Sequence, residues 1–576
     1  MRLALLALLF PALAFADGPR DAPRFPHRAV CSGGTYRCFA RVQTDDVGRA
    51  RADATPQGLG PTELAAAYRI PTANDPGATV AVIDAYGYPS LEADLAVYRA
   101  QYGLPPCTVA SGCLTIVNQS GQTTPLPAPP PAQDDWTQET ALDVDMASAG
   151  CPRCKILVVQ ATNDRGNGLV VANTTAATLG ATVISNSWGG PESASQDAYF
   201  THAGVAIFAS TGDNGFETQG ASYPAASPRV IAVGGTSLIP SPTTVRGWVE
   251  TAWNGGGSAC SSQAAKPAWQ TNSACAHRMT ADVAAVGDPS TGVAVYANGS
   301  WGIVGGTSAS SPLVAAIYAT THHNTEIGEF AYTHAGLFFD VESGTNGTCG
   351  SILCKAGIGW DGPTGVGSPN AAGLAGATAP TLAITPTTGA TIDKGFTITA
   401  TCTPTDGATI ARVDILIDNL PFAPLTAPPF AAEVLATRFP TGHHTIAVTC
   451  TTSALLTATA TAAITTADAC QSPTDCPNAT DICFDSVCIA GEGATGGLGA
   501  TCGSSPDCVS GSCGQANGES HCVITCDAMD SCPAGFDCTS NVCWPAGSSG
   551  GCNSGGQAPL WLGLALGVLA IRRRRG

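Results

Sequence analysis

The stretch GTSASSP, Gly306–Pro312, sets a serine among small residues where a strand or loop opens into the helical run PLVAAIYATTH, Pro312–His322. Backbone N–H groups at a helix N-terminus favour negative charge developing beside them, so Ser308 is a candidate nucleophile. A serine hydroxyl also needs a proton acceptor within hydrogen-bond reach. The strand TVAVIDAYG, Thr79–Gly87, carries Asp84 near its end, but no histidine occurs between His27 and His202. Where a base is needed the chain reads DDWTQETALDVDMASAG, residues 134–150, with Glu139 and Asp143 four positions apart. On a helix that spacing puts both carboxylates on one face. By itself such a pair is most often a solvated acidic face.

The serine motif resembles that of subtilisin-type serine peptidases, whose base is a histidine. The wider set of motifs resembles the sedolisin family of serine-carboxyl peptidases. ETALD, ASTGDNG (209–215) and GGTSASSP follow in order, joined by ISNSWGGPE (184–192), YPAASPRVIAVGGTSL (223–238), WNGGGSACSS (253–262), PAWQ (267–270), DVAAVGDPSTGVAVY (282–296) and GIGWDGPTGVGSPN (357–370). The resemblance covers about residues 60 to 375. It implies a subtilisin-like α/β domain in which Glu139 is the base, Asp143 orients it, Ser308 attacks, and Asp213 stabilises the oxyanion. It also implies a structural Ca²⁺ held by the Asp340 and Asp361 carboxylates and the carbonyls of Val341, Gly357 and Gly359, with Cys349 and Cys354 stapling that loop. Hard oxygen ligands suit calcium. Asp84 is a candidate extension of the carboxyl relay or a helix-cap or turn former, and Trp188 a link to it or a wall of the cleft.

The substitution has a physical rationale. At about pH 4 a histidine of ordinary pKa is neutral in only about 0.3% of molecules, a penalty of about 3.4 kcal/mol on a histidine base. A carboxylate base largely avoids it. Two close carboxyls share a proton, and Asp213 can donate to an oxyanion only while protonated. The expectation is an endopeptidase working at acidic pH on protein or peptide substrates. The alternatives are a subtilase with a remote histidine base and an inactive peptidase fold serving as a surface adhesin.

The 576-residue chain has room for several domains, and its net charge of −18, with no basic stripe, argues against a nucleic-acid partner. MRLALLALLFPALAFAD reads as a signal peptide ending at Ala16, followed by a short leader over 17–58. The large prodomain usual in the family does not fit in that space. The peptidase-like domain is expected over 59–376, with buried parallel strands at ATVAVIDA, KILVVQA, ATVISNSW, VAIFAST and RVIAVGG. From 377 to 468, FTITATCT, RVDILID, FAAEVLAT and HTIAVTCTTS predict an all-β sandwich resembling bacterial immunoglobulin-like modules.

The 25 cysteines imply an oxidising compartment. Twelve of them fall in 469–545 as three four-cysteine units, each opening with Cys, five residues, Cys, at 470, 502 and 526. Their connectivity is not deducible from the sequence. The tail 546–576, with Cys552, an apolar run and RRRRG, resembles MYXO-CTERM sorting signals. It implies sorting machinery acting near Cys552 and display at the cell surface, the protein being a monomer.

Overall fold

Runs such as TVAVIDA are apolar at nearly every position, so a sheet made of them has to be covered on both faces. The computed structural model describes residues 25–545 apart from 394, 406, 435–441, 468–469, 471, 477, 485–486, 517, 527–531, 534 and 540–541. The signal peptide, the start of the leader and the tail with Cys552 lie outside the described residues. At the centre is an eight-stranded sheet. Its strands are β1 (Thr79–Ala85), β2 (Leu114–Asn118), β3 (Lys155–Ala161), β4 (Val183–Asn186), β5 (Ala206–Ser210), β6 (Ile231–Pro240), β7 (Trp248–Ala252) and β8 (Val283–Val286). They lie in the order β7-β6-β5-β4-β1-β3-β2, with β8 also on β6. Every neighbour pair is parallel except β6 with β7.

The five strands expected from the sequence are present. β2, β7 and β8 add to them. The covering helices include α1 (Pro61–Tyr68), α2 (Leu91–Gln101), α3 (Trp136–Gly150), α4 (Gly168–Thr178) and α5 (Thr307–Thr320). α3 and α5 pack against each other, and they approach closely because Gly150 has no side chain: a Cβ there would stand 2.6 Å from that of Ala316. All of α5 is buried, as are thirteen of the fifteen residues of α3. A helix so enclosed cannot keep its carboxylates in water, which settles the solvated-face alternative for Glu139 and Asp143.

α5 begins earlier than its apolar run suggests, at Thr307, with Gly306 at a φ of 97° that favours glycine. Pro312 lies inside the helix and has no N–H to give to the Ser308 carbonyl. The Ser187 hydroxyl approaches that carbonyl instead, at 3.4 Å.

Two β-sheets follow, sharing one apolar core that includes Ile398, Val413, Ile415, Ile446, Val448 and Ile464. Thr381–Thr385, Phe396–Thr403 and Ala431–Val434 form one, and Ile410–Ile417, Gly442–Thr452 and Thr457–Ala467 are the long strands of the other. The Cys402–Cys450 disulfide joins them.

Each four-cysteine unit beyond is a two-stranded hairpin with the same connectivity, first cysteine to third and second to fourth: Cys470–Cys483 and Cys476–Cys488, Cys502–Cys513 and Cys508–Cys522, Cys526–Cys538 and Cys532–Cys543. In every unit the last two cysteines face one another across the hairpin. The disulfides account for the sulfur clusters in all three units, so those clusters need no metal.

Candidate active site

In open α/β sheets the carboxyl ends of the strands are where sites are built. Asp84 lies near the end of β1, Ser187 just past β4, and Asp213 three residues past β5. α3 brings Glu139 and Asp143 to this edge, and the first turn of α5 brings Ser308. Asp84, Glu139, Asp143 and Ser308 are wholly buried, and Asp213 is 7% exposed.

The Ser308 hydroxyl donates to the Ser187 carbonyl at 3.0 Å and accepts from the Phe39 N–H at 3.1 Å. The Ser187 hydroxyl donates to Asp143 Oδ1 at 2.7 Å. Glu139 faces the Ser308 hydroxyl and the Ala40 N–H, and both of its oxygens lie short of hydrogen-bond geometry. Asp213 Oδ1 accepts from the Thr307 N–H at 2.8 Å and the Thr307 hydroxyl at 3.1 Å, while Oδ2 has no hydrogen-bond partner among the described residues. Arg41 approaches that free oxygen to 3.4 Å.

The protonation of the cluster follows from burial. Loss of solvent raises Asp84 to about 8. Burial, then the charge of Asp84, pushes Glu139 well above the carboxylate range. The same two causes, with Glu139 added, raise Asp143, against the pull of the Ser187 hydroxyl. Burial lifts Asp213 to about 7 although Arg41 and Thr307 draw it down. Four mutually repelling carboxyls in a dry site must hold protons in acid. Trp188 is buried against Tyr36 and Phe200, at ring separations of 5.0 and 6.5 Å, and its indole N–H has no partner among the described residues. It forms part of the wall around Tyr36.

Four participants escaped the sequence reading. Ser187, inside the quoted ISNSWGGPE, ties Ser308 to Asp143. Thr307 orients Asp213. Arg41 and the stretch Arg37–Ala40 belong to the segment expected to be a leader, and no sequence signal placed them in the cleft.

Asp340 and Asp361 come together at the far loop. Asp340 Oδ2 accepts from the Gly359 N–H at 2.6 Å, and Asp361 accepts from the N–H groups of Gly357 at 3.0 Å and Thr364 at 2.9 Å. Burial lifts Asp361 to about 7, with Asp340 adding to the rise. Two neighbouring carboxyls, with the Val341, Gly357 and Gly359 carbonyls beside them in sequence, make an all-oxygen donor set that fits a hard divalent cation. Cys349 and Cys354 are bridged, as expected.

Residues 133–329 match the family model described as "Subtilase family". Kumamolisin of Bacillus sp. (strain MN-32) is 33% identical over 379 residues, which are 58% of this chain and 66% of that protein. Sedolisin of Pseudomonas sp. (strain 101) is 35% identical over 180 residues, 27% of this chain and 30% of that protein. This chain thus spans just under two thirds of the first relative and less than a third of the second. The structure of Pseudomonas sedolisin, a serine-carboxyl proteinase complexed with two molecules of pseudo-iodotyrostatin, aligns with 56% of this chain and 98% of its own at 27% identity and a TM-score of 0.47. The segment that carries Glu139, Asp143, Asp213 and Ser308 is therefore similar to the subtilases through its family model and to the sedolisin-type peptidases through its relatives.

Proposed function

We propose that this protein is a serine-type endopeptidase that hydrolyses peptide bonds in acid through Ser308, Glu139, Asp143 and Asp213. The observation that carries the reading is a buried cluster of four carboxyls around one buried serine, to which no histidine is hydrogen-bonded among the described residues. The Ser308 hydroxyl turns from the Ser187 carbonyl to Glu139, which takes its proton as Oγ attacks the substrate carbonyl. Asp143, held by the Ser187 hydroxyl, shares the proton of the pair and keeps Glu139 basic enough to accept it. Asp213 carries its proton on Oδ2, because Oδ1 is committed to Thr307, and donates it towards the tetrahedral oxyanion. Glu139 then protonates the departing amine, and a water that gives its proton to Glu139 attacks the Ser308 ester, releasing the acid half as Oγ recovers its proton. Asp84 sets the charge balance of the dyad.

Activity is expected to fall as pH rises through about 7, where Asp213 ionises. Purified protein assayed on acid-denatured protein from about pH 3 to about pH 9 tests this. A neutral or alkaline optimum, or full activity in Ser308→Ala or Glu139→Ala, would sink the assignment.

The same reading gives the loop of Asp340, Val341, Gly357, Gly359 and Asp361 a structural Ca²⁺. It relates the two-sheet region to immunoglobulin-like modules that space or attach the enzyme. Twelve disulfides among the described residues support a secreted, oxidising destination. Display at the surface through the tail is tested by locating full-length and Cys552→Ala protein in cell fractions. Equal retention of both would remove the sorting role of that cysteine.

A further inference from the structure

The loop that carries Asp213 is bracketed by a strip of glycines. β5 ends at Ser210, and residues 211–215 turn the chain so that Asp213 sets Oδ1 on Thr307 and leaves Oδ2 free. Alongside lie residues 255–258, GGGS. The Gly257 N–H donates to the Gly212 carbonyl at 2.7 Å, and the Gly215 N–H donates to the Gly255 carbonyl at 2.9 Å. One bond precedes Asp213 and the other follows it, so the position of the strip is the position of the carboxyl. The two chains approach so closely that a Cβ on Gly257 would stand 2.4 Å from the Thr211 carbonyl oxygen. Past the turn, Phe216 and Glu217 pair parallel with Ser258 and Ala259.

Three successive glycines have more backbone freedom than any other run, so the strip stays in place only if something holds its middle. Asn346 does this. Its Nδ2 donates to the Gly256 carbonyl at 2.6 Å and to Ser258 Oγ at 2.7 Å. Its carbonyl accepts from the Phe216 N–H at 2.9 Å, and its own N–H donates to the Cys354 carbonyl at 3.1 Å. Asn346 is 4% exposed and lies in the stretch between Asp340 and Asp361. Hydrogen count sets the residue type. The Ser258 hydroxyl spends its hydrogen on the Leu353 carbonyl at 2.7 Å, so Ser258 Oγ and the Gly256 carbonyl are both acceptors waiting for a donor. An amide supplies two hydrogens from one nitrogen. A carboxyl supplies one when protonated and none when ionised, and an aliphatic side chain supplies none.

We propose that Asn346 is a positioning residue for peptide hydrolysis, which fixes residues 255–257 and through them holds the Asp213 carboxyl where the oxyanion forms. The proposal rests on the peptidase reading above. Without the amide, two buried acceptors lose their donor and the strip is released. A catalytic group displaced by about 1 Å costs about 10²-fold in rate. Among the described residues, no hydrogen bond of Asn346 goes to α3 or α5, which carry Glu139, Asp143 and Ser308. Its influence on the reaction therefore passes through Asp213.

The test compares the full-length wild type, Asn346→Ala, Asp213→Ala and the double variant, with Ser308→Ala as the blank. Initial rates are measured at about pH 4 over a range of acid-denatured haemoglobin concentrations, and thermal melts check that each protein is folded. Asn346→Ala is expected to lower kcat by about 10- to 100-fold while KM stays within about threefold. Beside Asp213→Ala, where no donor is left to misplace, the same change should cost less than about threefold. If Asn346→Ala does not fold, Asn346→Asp takes its place at about pH 3, where the carboxyl keeps one hydrogen; a smaller loss is expected, again vanishing beside Asp213→Ala. Full activity without the amide, an equal factor lost in both backgrounds, or a change confined to KM overturns the proposal and leaves the peptidase reading standing. Rates unaltered by Ser308→Ala or by Asp213→Ala defeat the peptidase reading and this proposal with it.

Discussion

At the scale of single residues the asymmetry of Asp213 matters most. Its Oδ1 is taken by Thr307 and its Oδ2 is free, so a proton on the carboxyl has one place to go. An asparagine can reproduce that pattern at every pH, with the carbonyl oxygen on Thr307 and the amide N–H towards the oxyanion. Asp213→Ala is therefore expected to lower kcat by about 10²- to 10³-fold. Asp213→Asn should retain much more activity and lose the decline near pH 7 that ionisation of Asp213 causes. Matching pH–rate profiles for wild type and Asp213→Asn would remove Asp213 as the titrating donor. The buried carboxyls also couple stability to pH. Asp84 rises from 3.8 to about 8 and Asp213 from 3.8 to about 7 on folding, so the fold binds protons that the unfolded chain releases. Their contribution is complete below about pH 4 and is lost as pH rises through about 7 to 8, a change on the order of a few kcal/mol. Thermal melts of Ser308→Ala, chosen to remove the proposed nucleophile, should show higher stability at about pH 4 than at about pH 8. A flat or rising profile would mean these groups are ionised in the folded state. The shared face of Glu139 and Asp143 was legible from their four-residue spacing on a helix, whereas their role was legible only through the family resemblance. Thr307 and Ser187 act through contacts that only the folded chain creates.

At the scale of elements, legibility followed length and context. β1, β3, β5 and β6 are runs of apolar residues that nothing but a covered parallel strand accommodates, and they form where expected. β2 and β8, LTIVN and VAAV, are too short to stand out from their flanks, and β7 alternates on an edge. α5 was placed by its apolar run and therefore read too late, since its first turn, TSASS, is small and polar and is helical because Gly306 turns the chain into it. The candidate ion loop of Asp340 and Asp361 was legible only through family resemblance, because backbone carbonyls carry no side-chain signature. Should the ion bind there, it stabilises the fold by about 2.7 kcal/mol at a concentration about 100 times its Kd. Chelation should therefore lower the melting temperature of the α/β domain, and Asp361→Asn should melt low with or without chelator. Identical melts of the wild-type protein with and without chelator would exclude a structural ion.

At the scale of the whole molecule the chain divides its stability between two sources. The α/β domain and the two-sheet region each enclose a continuous apolar core. The three hairpins from Cys470 to Cys543 bury few apolar side chains besides their cysteines, Leu498 and Val523 among the exceptions. Each hairpin is marginal in water, and two disulfides per unit supply what a core does not. The repeat of first-to-third and second-to-fourth bonds makes the units equivalent, an equality visible in their spacing, whereas the pairing itself depends on hairpin registers no spacing reveals. The N-terminal ring, Cys31–Cys38, differs in kind because it is anchored on the domain surface by Asp134 and Asp164. Mild reductant under native conditions is thus expected to act unevenly. Hydrogen exchange and limited proteolysis should reach residues 470–545 first, while the cooperative melt of the α/β domain shifts little, since its large core does not depend on cross-links. The bridges Cys151–Cys154 and Cys107–Cys113 close loops of only a few residues, and the loop-closure entropy they remove is small. A single transition in which the α/β domain and the hairpins unfold together on reduction would show instead that the repeats are structural partners of the enzyme domain rather than an independently held stalk.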